Sequence, residues 1–344
     1  MRNRFVKICL LAAVLALGSE AAMAQAKPKR PAQKKTTGKT AAKNNNNAGG
    51  AVAPPKDTVP KVVMPDADIK LEAPRPSMRN DYAFERNLVK ERTPLQYEHI
   101  REDDATYVQR VWREIDVHEK INLPFVYKAE GDAGNQRFIM ILLNAIKKGE
   151  VTAFSAAGGD DRFTTPITFK DIAEILVEKP KVKPVPDWVN DPDGSKGLFK
   201  DSVIISEFNP DATVERYWLK EDWVFDKESS RMYVRILGIA PLKTVNNEDG
   251  SFRAVLPAFW VYYPDLRPML ARYEVYNGKN YGARMSWEEL FESRMFGSRI
   301  IKSTINNPND LFISSYVKDP ILALLEGENI KEKMFNYEQD LWSY

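Results

Sequence analysis

Residues 218–242, WLKEDWVFDKESSRMYVRILGIAPL, constrain the fold more than any other stretch of the chain. Two runs dominated by apolar, aromatic and β-branched residues flank a polar turn from Asp226 to Ser230. That composition predicts a β-hairpin. On its second strand Val234 and Ile236 fall on one face, with Tyr233, Arg235 and Leu237 on the other. Arg235 can lie along the sheet and keep its head in water. Nothing in the stretch is suited to bond-making, so it reads as the centre of a packed α+β body.

The chain has 344 residues, enough for a sizeable core and one or two folding units. Its formal charge of +2 hides an asymmetry. Residues 25–80 carry 12 Lys/Arg against 4 Asp/Glu, whereas residues 81–344 are left with a net charge of −8. Arg2, Arg4 and Lys7, the apolar run from Ile8 to Leu17, and Ala22-Met23-Ala24 predict a signal peptide over 1–24, cleaved before Gln25. The run is too short for a transmembrane helix. The single cysteine, Cys9, lies inside it. An exported chain without it has no disulfide, no Cys metal site and no Cys nucleophile.

Residues 25–79 form a Lys/Pro/Asn-rich arm with eight Lys/Arg and no acid between Gln25 and Lys56. Such a segment buries too little apolar surface to fold alone and is expected to be disordered. It reads as a spacer or as a tether to an anionic surface. Order is expected to begin near Tyr82. The body divides into a helix-rich unit over 80–180, a Pro/Asp/Gly connector over 181–200, a sheet-plus-helix unit over 201–310 and a helical segment over 311–344. In the first unit Tyr107, Val108, Val111, Trp112 and Ile115 follow helical spacing, predicting a helix from Asp103 or Asp104 to Lys120. Leu123 to Tyr127 reads as extended, and residues 137–148 as an apolar helix closed by Gly149.

Thr168-Phe169-Lys170-Asp171 carries a capping box, with Ile167 placed to staple onto Ile172; Ser286-Trp287-Glu288-Glu289 repeats the box. Each follows a helix and a glycine, Gly149 or Gly278, so the body holds two candidate related units. Further strands are expected over 203–208 and 252–263. Helices are expected over 264–275, 286–304 and from Pro320 to about Asn336. The fold class is α+β, a mostly antiparallel sheet flanked by helices.

No reactive constellation emerges. His99 and His118 are too few for most hydrolytic or metal centres, and His118-Glu119 lacks the second histidine of a zinc-protease helix. Asp191-x-Asp193-x-Ser195 departs from a calcium loop, with glycine at 194 and Ser202 at the twelfth position. Glu102-Asp103-Asp104 and Asp160-Asp161 are the candidate acids of a glycan-active site or a cation site. Helix-terminal and turn chemistry are the plainer readings. Aromatics interleave with acids more than with bases in the body, which argues against nucleic acid. Trp188, Trp260, Tyr262, Tyr263 and Trp342 suit either core packing or a protein interface.

Three stretches carry a resemblance. Val111-Trp112-Arg113-x-Ile115-Asp116 is followed by Glu119-Lys120-x-Asn122-x-Pro124-Phe125. Glu221-Asp222-Trp223-x-Phe225-Asp226-Lys227 continues into Arg235 to Pro241. Trp287-x-Glu289-x-Phe291 precedes Arg294-Met295-Phe296-x-Ser298. Together they resemble the PorN/GldN family of the type IX secretion system and gliding machinery of Bacteroidota. The resemblance implies a structural part and not an enzyme, with no cofactor. It implies a periplasmic location against the outer membrane and a ring built with a PorK/GldK-like lipoprotein. It further implies contact with a PorM/GldM-like motor protein and with neighbouring copies. Candidate interface residues are Trp112, Arg113, Trp223, Arg235, Trp287, Arg294 and Trp342. The basic arm adds peptidoglycan or an anionic membrane as a candidate partner. The alternative is a periplasmic peptidoglycan- or glycan-binding or carbohydrate-active protein.

Overall fold

The computed structural model describes residues 68–71, 77–79, 83–84, 91–131, 134–177, 181–186, 199–204, 207–247, 251–279 and 284–341. The expected signal peptide, nearly all of the arm, Tyr82, Trp188, the Asp191 motif and Trp342 lie outside the described residues.

The first strand, β1 (Ala105–Asp116), runs into a 3-10 turn over Lys120–Val126. Strands β2 (Glu130–Gly131) and β3 (Gly134–Asn135) pair with each other. Helix α1 (Phe138–Lys148) leads to β4 (Ala153–Ser155), β5 (Pro166–Ile167) and α2 (Phe169–Leu176). Next, β6 (Lys181–Pro186) and β7 (Phe199–Ile204) pair, so part of the expected connector is sheet. After α3 (Pro210–Thr213) come β8 (Val214–Asp226) and β9 (Arg231–Asn246), the hairpin read from sequence. The return segment is β10 (Phe252–Pro257) and β11 (Phe259–Tyr262), broken at Ala258, whose N–H reaches Pro241. The chain closes with α4 (Tyr263–Leu270), α5 (Trp287–Glu292), β12 (Arg299–Ser303), α6 (Ile313–Tyr316) and α7 (Pro320–Asp340). The main sheet has eight strands ordered β12-β1-β8-β9-β11-β4-β5, with β10 on β9, and every pairing is antiparallel.

Two segments expected as helix are strands. From Val111 to Ile115 every residue of β1 is buried. A strand covered on both faces loses its polar/apolar alternation, and its apolar residues then match helical spacing by coincidence. Beyond α5, the expected long helix stops at Ser293. Arg294 takes φ 56°, and the N–H groups of Arg294 and Met295 return to Phe291 and Leu290. That is a Schellman stop with arginine where glycine is usual. Gly149 makes the same stop after α1 at φ 73°. The 3-10 turn replaces the extended segment expected after Leu123.

Both capping boxes form as read, Thr168 with Asp171 and Ser286 with Glu289. The two candidate units differ beyond that. The first contributes β4 and β5 to the sheet, whereas the second makes a single bridge, Glu274 to Ser286. Gly149 is left-handed, and Gly278 is not among the left-handed residues.

On one face of the sheet Ile115, Tyr217, Leu219 and Ile239 join α1, α2, α4 and α5 in the main core. Ile69 is buried in that core, inside the stretch expected as free arm. On the other face Trp112, Ala240 and Trp260 pack with Trp218, Phe154 and Phe163. Gly238 lets this cluster close: a Cβ there would sit 2.6 Å from the tip of the Phe163 ring. Phe163 cannot easily retreat, because its backbone is left-handed at φ 57° and its ring stacks edge-on against Phe154, Trp260 and Tyr262. Gly238→Ala is therefore expected to cost about 1–3 kcal/mol, read as a lower urea midpoint.

Candidate functional site

The three sequence stretches singled out above meet at one junction. Asn122, fully buried, donates to the carbonyls of Asp116 and Gly297 at 2.7 and 3.0 Å and accepts from the Gly297 N–H at 2.9 Å. This ties the 3-10 turn after β1 to the turn before β12. Arg113 donates to the Ser298 hydroxyl at 2.9 Å and to its carbonyl at 3.2 Å. Phe125 packs against Trp287 and Phe291 with ring centroids 5.0 and 6.0 Å away. Arg294 reaches both oxygens of Glu221, at 3.2 and 3.1 Å, and stands 5.6 Å from the rings of both Trp223 and Phe296.

The Glu221 carboxylate is completely buried. It also accepts from the Trp223 indole at 3.4 Å. Trp223 belongs to a second core with Val111, Ile300, Ile330 and Met334, while Phe296 belongs to the main one. The Glu221–Arg294 pair therefore marks a polar seam between two apolar cores. Burial pulls the Arg113 guanidinium below its usual value, and the nearby Glu221 charge opposes that.

On the opposite face Asp161 accepts from the Trp112 indole at 2.7 Å and pairs with Lys220 at 3.2 Å. Burial pushes the Lys220 ammonium below its ordinary value and Asp161 opposes the shift. Lys302 stands 4.1 Å over the Trp112 ring. Glu114 accepts from Trp218 at 3.1 Å and pairs with Arg299 and Arg216.

Sequence reasoning missed a strap, the segment 91–100, which has no regular secondary structure. Arg92 pairs with Glu289, the Leu95 N–H donates to Glu288 at 3.1 Å, and the Tyr97 hydroxyl donates to Glu292. The Tyr97 ring lies between Arg267, 3.6 Å from its centroid, and Arg235, 3.9 Å away. The acids on α5 were visible in the sequence, but nothing local paired them with a segment nearly 200 residues earlier.

Six of the seven candidate interface residues can be placed. Trp112, Arg113 and Trp287 are buried, and Trp223, Arg235 and Arg294 are half-buried against the partners above. Trp112, Arg113 and Trp287 are turned into the body, whereas Trp223, Arg235 and Arg294 keep part of their surface in solvent. Among the candidate acids, Asp104 pairs with Arg101 at 2.6 Å, Asp160 binds Thr164 within its own turn, and Asp161 holds Lys220. His118 lies 2.9 Å from Asp116. No cluster of metal-binding side chains occurs among the described residues.

Two buried tyrosines give the fold an alkaline limit. Burial raises the Tyr217 phenol far above its ordinary value, and burial with the neighbouring Glu292 charge does the same for Tyr263. In the unfolded chain both ionise near pH ~10. Above that pH the unfolded state binds fewer protons than the native state, so stability falls as pH rises. Urea midpoints at about pH 9 and about pH 11 are expected to show the drop. Tyr263→Phe should make it shallower, leaving the Tyr217 contribution.

The sequence matches the family described as Gliding motility associated protein GldN over residues 100–343. The chain belongs to the GldN family. The match begins in the loop before β1 and runs through α7, so it covers the whole junction just described. A comparison with curated proteins finds no match. GldN proteins are components of gliding motility and type IX secretion, and the family is a structural one with no known enzymatic activity. Most of the strap precedes the matched region.

Proposed function

We propose that this GldN-family chain is a structural, non-enzymatic subunit of a periplasmic ring, associated with the outer membrane, in the type IX protein secretion system. It assembles with a PorK/GldK-like lipoprotein and with copies of itself, and it meets the periplasmic part of a PorM/GldM-like motor protein. One observation carries the reading. Most buried polar side chains of the body are spent on internal ion pairs and hydrogen bonds, while the last helix begins with four exposed aliphatic side chains, Ile321, Leu322, Leu324 and Leu325. That is the distribution of a part built to be packed against. The candidate acids of a glycan-active site support the same reading, because each lies in an ion pair or a turn. No helix among the described residues is long and apolar enough to cross a membrane.

The test is co-expression of residues 25–344 with the lipoprotein neighbour, followed by negative-stain imaging, together with deletion of the chain in cells. High-mass rings and loss of protein export are expected. A chain that stays monomeric beside the lipoprotein, and whose deletion leaves export intact, overturns the reading.

A further inference from the structure

The strap 91–100 sits on the body without joining its core. None of its residues belongs to the buried apolar clusters, and Leu95 is 57% exposed. It is tethered on both sides. Upstream, Ile69 is buried in the main core; downstream, Arg101 pairs with Asp104 at 2.6 Å and with Glu228 at 3.2 Å.

Beneath the strap lies a slot that reads it at three successive points. The Glu288 carboxylate accepts from the Leu95 N–H at 3.1 Å and Arg267 donates to the Leu95 carbonyl, so both backbone groups of one residue are bound. Those two side chains are at least nine-tenths buried and pair with each other at 2.8 Å. Two residues on, the Tyr97 ring lies between the Arg267 and Arg235 guanidiniums, and its hydroxyl donates to Glu292. Burial and the Glu292 hydrogen bond raise the Tyr97 phenol above its ordinary value, which keeps it a donor. At the next residue Tyr233 donates to the Glu98 carboxylate and Arg235 to the Glu98 carbonyl at 3.4 Å.

The slot is complete without the strap. Arg267 keeps Glu288, Glu292 keeps the Tyr263 hydroxyl at 3.0 Å, and Glu289 keeps Ser286 in the capping box. Lifting the strap therefore strands no buried charge, the loss that makes a broken ion pair costly. The outer hold, Arg92 on Glu289, is partly exposed on both sides and screened by salt. A segment held by polar contacts alone belongs to the parts of a fold that open locally, ahead of the core.

We propose that this slot is a peptide-binding site, closed here by the chain's own strap. Its ligand is an irregular peptide segment carrying a tyrosine two residues after the residue whose backbone Glu288 and Arg267 bind. Phenylalanine lacks the donor for Glu292, and a phosphotyrosine sets like charge against it. The inference goes beyond the ring reading and does not depend on it.

The probe is a labelled synthetic peptide of residues 91–100, Glu-Arg-Thr-Pro-Leu-Gln-Tyr-Glu-His-Ile. The full exported chain, residues 25–344, carrying Arg92→Ala with Tyr97→Ala is expected to bind it saturably in fluorescence anisotropy. Wild type should bind at least about tenfold more weakly, because the tethered strap competes at high effective concentration. Phenylalanine in place of the peptide's tyrosine should weaken binding about tenfold. Equal binding by the two chains, equal binding of the two peptides, or no saturable binding up to ~1 mM overturns the site. Should the double variant fail to fold, hydrogen exchange on wild type decides. The Leu95 N–H is expected to exchange by local opening, well before the amides of β8. Exchange of both only on global unfolding overturns the proposal, and each of these failures leaves the ring reading intact.

Discussion

Arg294→Met is expected to destabilise the chain by about 3–5 kcal/mol, because it strands the fully buried Glu221 carboxylate between two apolar cores. The position allows a sharper comparison than a single deletion. Arg294 is left-handed at φ 56°, a conformation that costs an ordinary residue roughly 1–2 kcal/mol and glycine almost nothing. Arg294→Gly thus relieves strain while breaking the same ion pair, and it should be less damaging than Arg294→Met but still destabilising. The double variant Arg294→Met with Glu221→Met removes both charges and should recover most of the loss. Urea denaturation of wild type, Arg294→Met, Glu221→Met and the double variant measures the coupling, with Arg294→Gly run beside them. Arg294→Gly more stable than wild type by the full relieved strain would show that the seam contributes nothing net.

Trp287→Ala is expected to cost about 3–5 kcal/mol through the cavity it leaves. The indole is packed against Phe138, Phe125 and Phe291 at 4.7, 5.0 and 6.1 Å and is 1% exposed. Its N–H has no hydrogen-bond partner among the described residues, so Trp287→Phe loses packing volume and no hydrogen bond. That variant should retain more than half of the stability lost by Trp287→Ala. A surface role for Trp287 predicts the reverse: near-native melting for both variants and a defect only in assembly. Thermal unfolding of the isolated chain separates the two.

The sequence reading was most accurate where the signal was local. The 218–242 hairpin, both capping boxes and the glycine stop of α1 depend on residues within a few positions of one another, and all form as expected. It failed where the deciding partner was distant. Trp112 and Ile115 match one face of a helix, yet β1 pairs with β8 and β12, and burial on both sides erases the alternation that identifies a strand. Arg294 gave no sign of ending a helix, since arginine propagates helices well. The side chain's partner at the stop, Glu221, lies 73 residues away.

The same division holds for the candidate contacts. Tryptophans and arginines at 112, 113, 223, 287 and 294 were legible as a set, but composition does not distinguish an interface anchor from the anchor of a buried junction. Their roles follow from what lies opposite each side chain: Asp161 for Trp112, Ser298 for Arg113, Glu221 for Arg294, an aromatic cluster for Trp287. Conversely, the sequence placed Ile321 to Leu325 only within a last helix from Pro320, and the placement of α7 over β12 is what leaves them facing outward. By itself the sequence determined the charge asymmetry, the central hairpin, the helix caps and the three stretches that mark the family. Tertiary structure alone decided that those stretches converge on one seam and that the first turns of α7 stand exposed. Burial is a property of what packs against a residue, and the packing partners here are up to about two hundred positions apart in the chain.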